Sequence, residues 1–401
     1  MEVLDIFLGI ISIIIGYFLG SILPAYFFGR LKGIDLREEG TCNPGTSNAF
    51  KVLGLPYAIP TAVYDTLKGL LTILIAYYLC GNFIFMQISG LAVIVGHVFP
   101  FYLKFRGGQG NATATGLLLF YLINYISVGF EIFYILLYLI LILVIFVYIS
   151  KVGSLLPAVL FPLLGYSIFI TYPESRFNIF FCIILFHIGI IGMYKVITEK
   201  KLIITDEIFK ATWWRVAIRP FALLFLLFYF FYSKIVALIV IGIVCACFLA
   251  LDWSRFLSKQ ANEILTVRIK SIFKKSEHKK LSSMTIFLAS SFVTVLLFEI
   301  EVATTALVFL VFGDMFAKIF GLAYGPHKLF EKTVEGSLAY LGSVLIFGYI
   351  LITSINISLI ALIAGGITAI FSELLSSGVN DNLSVPLMSG TVMTVTILFG
   401  F

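Results

Sequence analysis

Charge is what this chain has least of. Asp, Glu, Lys and Arg make up only 12% of its 401 residues, against 61% hydrophobic, with 41 Phe. A soluble fold has no interior large enough to hide that much apolar surface, so a soluble protein is excluded. The five cysteines, Cys42, Cys80, Cys182, Cys245 and Cys247, are scattered or sit inside apolar runs, with no histidine pair at metal-ligand spacing. Neither structural zinc nor a disulfide framework is expected. No segment recurs at a fixed period of 20–50 residues, which argues against a solenoid or an obvious inverted-repeat transporter. The first apolar run, 6–28, lacks a basic leader and continues into a polar motif, so it reads as a retained span.

What is there in quantity is apolar sequence. Runs of about 17–20 residues recur along the chain, each enough to cross a hydrocarbon core of roughly 30 Å as a helix. The fold class expected is all-α, a polytopic integral membrane protein. Fourteen spans are expected, near 6–28, 57–80, 83–103, 111–127, 129–150, 154–172, 177–197, 218–232, 235–250, 284–298, 302–319, 337–353, 355–372 and 384–401, as two bundles of seven. With the N-terminus outside, only Arg176 and Lys234 of the 27 Lys and Arg fall on the outer face. The net charge of +6 therefore reads as membrane orientation in the cell membrane, and no nucleic-acid partner is expected. The polar stretch 198–217 separates the two groups, giving domains 1–200 and 201–401.

Three polar stretches of the first half fall on the cytoplasmic side of this topology. The first runs from Gly20-Ser21-Ile22-Leu23-Pro24 through Asp35 and Arg37 to Asn43 and Asn48; Arg37 carries a fork suited to a phosphate or carboxylate. The second holds Asp65 and Lys68 one helical turn apart, which a mutual ion pair would also explain. The third opens with His97, which an interhelical hydrogen bond would account for, and continues through Gly107, Gly108, Gln109 and Gly110 to Thr113 and Thr115. Glycines there free the backbone to turn successive N–H groups towards an anion at a helix start, and a phosphate is the expected ligand.

Together the three stretches resemble the PlsY-type acyl-phosphate:glycerol-3-phosphate acyltransferases, in order, spacing and seven-span topology. The resemblance implies acyl transfer from acyl phosphate to the 1-hydroxyl of glycerol 3-phosphate, giving lysophosphatidate without metal, coenzyme A or other cofactor. It implies Ser21, Arg37, Asn43 and His97 as catalytic residues. Asn48, Lys68, Gly107, Gly108, Gln109, Gly110, Thr113 and Glu199 would hold substrate or phosphate. No Ser-His-Asp arrangement or HxxxxD motif is present, so Ser21 reads as a hydrogen-bond donor rather than a nucleophile. Gln109 stands where the family has lysine, Thr41 and Cys42 replace Ser-Gly, and Lys51 replaces arginine. The closing signature survives only as His187 with Thr198 and Glu199. Loss of a cation at Gln109 would cost on the order of 1–3 kcal/mol of charge-assisted bonding, which Lys104 or Arg106 is placed to offset.

The second half carries Asp314, Gly321, Gly325, Lys332, Thr333 and Glu335, then Glu373, Asp381 and Asn382. Ion pairs Asp314–Lys318 and Lys332–Glu335 would explain part of this; convergence on a Mg²⁺–nucleotide site would explain more. The pattern is similar to that of the CTP-dependent dolichol, phytol and diacylglycerol kinases. The resemblance implies phosphorylation of a lipid alcohol with CTP or ATP, Asp314 and Asp381 holding Mg²⁺. Two rivals are an inactive acyltransferase-like scaffold with only the kinase-like half active, and a transporter of a phosphorylated or lipid solute. The expected partners are acyl phosphate and glycerol 3-phosphate, a lipid alcohol and a nucleoside triphosphate, and membrane lipids.

Overall fold

The computed structural model describes residues 3–199, 220, 223–268, 280–375 and 380–400. The stretch proposed above as a domain boundary, 198–217, lies almost entirely outside the described residues, as do 269–279. Two units form: Met1–Ile140 with Gly153–Glu199, and Leu141–Val152 with Lys200–Phe401. The described residues are mostly helical, and their only strands are a hairpin of two two-residue strands in the second unit.

The helices up to residue 199 are α1 (Val3–Ser21), α2 (Pro24–Leu31), α3 (Thr46–Leu53), α4 (Leu55–Cys80), α5 (Phe83–Val98), α6 (Asn111–Val128), α7 (Glu131–Ser150), α8 (Leu156–Thr171) and α9 (Asn178–Thr198), all in the first unit except the part of α7 from Leu141 on, which belongs to the second. Their ends follow local chemistry. Gly81, left-handed at φ 60°, closes α4, and the next residue, Asn82, starts α5 by accepting from the N–H groups of Ile84 and Phe85. Helix α1 packs on α5 and α4, α6 on α4 and α9, and α8 on α9. The α1–α5 contact is backbone to backbone: a Cβ on Gly20 would lie 2.1 Å from Val93 O, and one on Gly96 2.1 Å from Tyr17 O. Small residues allow that approach where helices must associate without a hydrophobic driving force.

The second unit contains α10 (Leu224–Phe231), α11 (Lys234–Leu257), α12 (Lys259–Arg268), α13 (Ser283–Leu297), α14 (Ile300–Tyr324), β1 (Lys328–Leu329), β2 (Lys332–Thr333), α15 (Val334–Ser354), α16 (Leu359–Leu374) and α17 (Asp381–Leu398). Its core is built on α14, whose residues Val302 to Val311 are all buried, and α15 and α17 pack along it. The end of α11 is fixed by Asp252, fully buried, which pairs with Arg255 and accepts from Ser282 N at 2.8 Å and Thr285 Oγ1 at 2.7 Å.

Among the described residues nine helical segments are long and apolar enough to cross a bilayer, fewer than the fourteen expected. Apolar helices Leu156–Thr171, Ser283–Leu297 and Leu359–Leu374 are shorter, and among the described residues of 218–232 the α-helix is Leu224–Phe231. Large apolar side chains point outward along the spans, Phe7, Phe18, Ile123 and Phe186 among them. An apolar exterior around helices that satisfy their own backbones is the signature of a multi-pass membrane protein.

Candidate active site

The first unit gathers its polar groups around the end of α1. Helix α1 stops at Ser21 and α2 restarts at Pro24, leaving a run of carbonyls that an unbroken helix would have paired internally. Side chains from elsewhere take them up. Tyr64 Oη donates to Leu19 O at 2.9 Å, Lys68 Nζ to Gly20 O at 3.0 Å and Ile22 O at 3.4 Å, and Tyr102 Oη to Ser21 O at 2.9 Å. Ser21 Oγ itself donates back to Tyr17 O at 2.9 Å.

Lys68 is the hub. Its Nζ is also 2.9 Å from Asp65 Oδ1 and 2.7 Å from His97 Nδ1, and all three side chains are at most 3% exposed. The i,i+3 pair expected of Asp65 and Lys68 forms, but His97 joins it from α5, 29 positions along the chain. With four acceptors around three N–H donors, a phosphate contact by Lys68 would require one of these bonds to break.

The other ring nitrogen, His97 Nε2, faces the glycine loop. A Cβ built on Gly108 would lie 2.2 Å from it and 3.3 Å from Asn43 Oδ1, so the first and third polar stretches meet over Gly108. The glycine nest differs from expectation. Gly107 N and Gly108 N donate to Val98 O and His97 O, both at 3.0 Å, so neither faces an anion. The open donors belong instead to the first turn of α6, which starts after Gly110, left-handed at φ 72°, with no side-chain cap. Gln109 contributes its carbonyl, 3.1 Å from His187 Nε2.

Four buried side-chain atoms here have no hydrogen-bond partner: Asn43 Oδ1, Thr46 Oγ1, Asn111 Oδ1 and Thr113 Oγ1. Two come from the first polar stretch and two from the start of α6. Orphaned buried polar atoms are rare and cost about 1–3 kcal/mol each, so four in two adjoining stretches mark a place prepared for a polar ligand. Thr46 and Asn111 did not stand out in the sequence; the signal was an Asn opening a helix whose cap position is a glycine. Thr115 is exposed.

Arg37 and Asn48 shape the first loop. Asn48, 1% exposed, donates to Leu36 O at 3.0 Å and Glu39 O at 2.9 Å and accepts from Thr41 N at 2.8 Å, so its polar atoms bind its own loop. The Arg37 guanidinium grips Asp35 with two bonds of 3.0 and 2.7 Å, reaches Leu103 O at 3.5 Å and lies 5.2 Å from the Tyr26 ring centre. The hydrogen bond from Arg37 holds the Asp35 carboxyl below its ordinary range despite partial burial, and the same bond raises Arg37. Glu199 is exposed at the end of α9.

Residues 10–204 match the family model described as Glycerol-3-phosphate acyltransferase. Curated proteins of that description are similar to this chain. That of Thermoanaerobacter sp. (strain X514) is 43% identical over 111 residues, 27% of this chain and 56% of that protein. That of Legionella pneumophila subsp. pneumophila (strain Philadelphia 1) is 41% identical over 111 residues, 27% and 40% respectively. That of Bacillus velezensis is 44% identical over 110 residues, again 27% and 56%. The chain thus spans about half the length of the curated relatives it matches. The crystal structure of PlsY (YgiH), an integral membrane glycerol 3-phosphate acyltransferase, in its glycerol 3-phosphate form, is 26% identical, covers 48% of this chain and 89% of its own, and has a TM-score of 0.36. Its lysophosphatidic acid form gives 26%, 47%, 87% and 0.35.

The family match ends at residue 204, so the second unit is read from its own geometry. Asp314, 4% exposed, makes the expected i,i+4 pair with Lys318 at 2.7 Å. The pair expected between Lys332 and Glu335 is replaced by longer-range contacts. Lys332 Nζ lies 2.7 Å from Glu373 Oε1 and 3.3 Å from Asp381 Oδ2, while Glu335 Oε1 meets His327 Nδ1 at 2.5 Å. Burial pulls the Lys332 ammonium down, but its attraction and hydrogen bonds to Glu373 and Asp381 outweigh that and raise it. Thr333 caps α15 by accepting from Gly336 N at 3.1 Å, and a Cβ on Gly321, Gly325 or Gly336 would fall within 2.9 Å of Thr333 Oγ1. The glycine pattern therefore packs around a helix cap. Asn382 N donates to Asn380 Oδ1 and Asp381 Oδ1 at the start of α17. Among the described residues no three His, Cys, Asp or Glu side chains converge on one metal position. Asp314 and Asp381 each meet a lysine, an arrangement that does not fit a shared Mg²⁺.

Proposed function

We propose that residues 1–200 transfer an acyl group from an acyl phosphate to the 1-hydroxyl of glycerol 3-phosphate: the hydroxyl oxygen bonds to the acyl carbon, the bond from that carbon to the phosphate oxygen breaks, and inorganic phosphate leaves with the hydroxyl proton, giving lysophosphatidate. The observation that carries this reading is the meeting of His97 Nε2 and Asn43 Oδ1 over Gly108, beside three further unpartnered buried oxygens and the open start of α6. An acyl phosphate is already activated, so the protein need only hold two phosphorylated molecules and align a hydroxyl with a carbonyl carbon. In this reading the first turn of α6 and Arg37 attract phosphate, Arg37 exchanging Asp35 for it. Asn43 Oδ1 receives the glycerol hydroxyl, and His97 Nε2 contacts the reacting oxygens. Ser21 serves as a donor only by leaving Tyr17 O, and Lys68 acts through His97. The site faces the cytosol from the cell membrane.

The test is lysophosphatidate formation by the purified full chain in detergent from acyl phosphate and glycerol 3-phosphate. Turnover that falls at least a hundredfold in Arg37→Ala supports the reading; no product from the wild type refutes it.

For residues 201–401 the reading is phosphorylation of a lipid alcohol by CTP or ATP. Its support is the convergence of Lys332, Glu373 and Asp381 from three separate elements. Transfer of labelled phosphate from either nucleotide to a lipid extract, lost in Asp381→Asn, tests it.

A further inference from the structure

We infer that Lys68 is a positioning residue that fixes the proton of His97 on Nε2, so that His97 offers the site a hydrogen-bond donor and not a base. The shortest contact of the His97 ring is Lys68 Nζ to Nδ1, 2.7 Å. An ammonium only donates, so Nδ1 must present its lone pair, and a neutral imidazole then carries its proton on Nε2. The competing arrangement puts the proton on Nδ1, donating to Asp65 Oδ1. That separation is 3.4 Å, beyond the ordinary N–H···O range of about 2.7–3.2 Å.

Counting donors gives the same answer. Lys68 Nζ has acceptors at 2.7 Å (His97), 2.9 Å (Asp65), 3.0 Å (Gly20 O) and 3.4 Å (Ile22 O). Three ammonium hydrogens serve the three shortest. A neutral amine would have two hydrogens for three oxygens and would leave the buried Asp65 carboxylate without a cation. The His97 ring is 3% exposed, so water offers Nδ1 no substitute for Lys68. On its other side Nε2–H borders Gly108, next to the unpartnered Asn43 Oδ1. A ligand group entering there meets one donor and one acceptor side by side, the pattern that recognises a hydroxyl or a protonated phosphate oxygen. What the donor meets rests on the acyltransferase reading; the proton position does not.

The experiment is nitrogen NMR of the full chain, labelled with ¹⁵N-histidine and reconstituted in lipid nanodiscs. The chain has four histidines, and the His97 signals are those lost in His97→Gln. The expected wild-type pattern is a protonated Nε2 and a bare Nδ1. In Lys68→Met the proton should redistribute towards Nδ1. The double variant Asp65→Asn/Lys68→Met, which leaves no lone buried charge, should also lose the wild-type preference. A wild type protonated on Nδ1, or a Nε2–H form unchanged in both variants, overturns the inference. In turnover, His97→Gln, whose amide nitrogen sits where Nε2 was, should retain at least tenfold more activity than His97→Asn; equal losses overturn the donor role. A wild type that makes no lysophosphatidate refutes the proposed reaction and leaves the NMR result to decide the proton.

Discussion

Adding one methyl group at Gly108 should silence the site while leaving the fold in place. Gly108 has no positive φ, so alanine suits its backbone. The new Cβ, however, would stand 2.2 Å from His97 Nε2 and 2.9 Å from its Cδ2. Restoring ordinary contact of about 3.4 Å means moving the imidazole by roughly 1.2 Å, and misplacement by about 1 Å can cost a hundredfold in rate. The group met is the end of a side chain and not backbone, so the ring yields within its surroundings, but Nε2 then leaves its place beside Asn43 Oδ1. We expect Gly108→Ala to lower kcat/KM for glycerol 3-phosphate by about 10²-fold, equivalent to about 2.7 kcal/mol of transition-state stabilisation. The unfolding temperature in the same detergent should change little. Gly110→Ala makes the contrast: at φ 72° a side chain costs about 1–2 kcal/mol of backbone strain, which should appear as a lower unfolding temperature. A Gly108→Ala protein within threefold of wild-type activity would refute the geometry. So would one whose loss of activity only tracks a loss of stability.

Asn48→Ala removes a side chain that satisfies three backbone groups and should destabilise the first unit by about 2–4 kcal/mol, read as a shift in thermal unfolding. Asp35 should titrate below 3.8 when its carboxyl carbon is followed by NMR, and Arg37→Gln should return it towards that value. Because the folded-state value is lowered, the Asp35–Arg37 pair contributes fully above 3.8 and is lost as pH falls through the lowered value. Lys332→Met leaves Glu373 and Asp381 without their shared cation. With Lys332 28% and Asp381 26% exposed, the loss should be nearer 2 kcal/mol than the roughly 3–5 of a fully buried pair. Glu373→Gln in the same chain should recover part of it in a thermal shift assay.

Helix positions were legible in the sequence because apolar length and end chemistry, such as Gly81-Asn82 between α4 and α5, are local signals. Of the expected span 218–232, residues 218, 219, 221 and 222 lie outside the described residues and Leu224–Phe231 form α10. In the candidate site, the spacing of Asp65 and Lys68 foretold their pairing. Nothing local foretold that the lysine would also hold a carbonyl of α1 and the ring of α5. The glycine loop was read as a ring of N–H donors, yet two of these donors close the loop on itself and glycine at 108 instead makes room for an imidazole. In the second unit, Lys332 and Glu335 stand three apart on a strand and the helix after it. The strand turns Lys332 towards α16 and α17, a consequence of the hairpin that residue spacing does not encode.

The break between α1 and α2 has a chemical author in Pro24. In a continuous helix the amide of residue 24 would bind the carbonyl of residue 20, and the amide of a proline has no hydrogen to give. Gly20 O is thereby left over, and Lys68 takes it at 3.0 Å. A missing donor on one helix thus becomes the tether for an ammonium on another, which in turn holds the imidazole on a third. An ordinary residue at position 24 would compete for that oxygen and loosen the lysine, although no atom of Pro24 need ever touch a substrate.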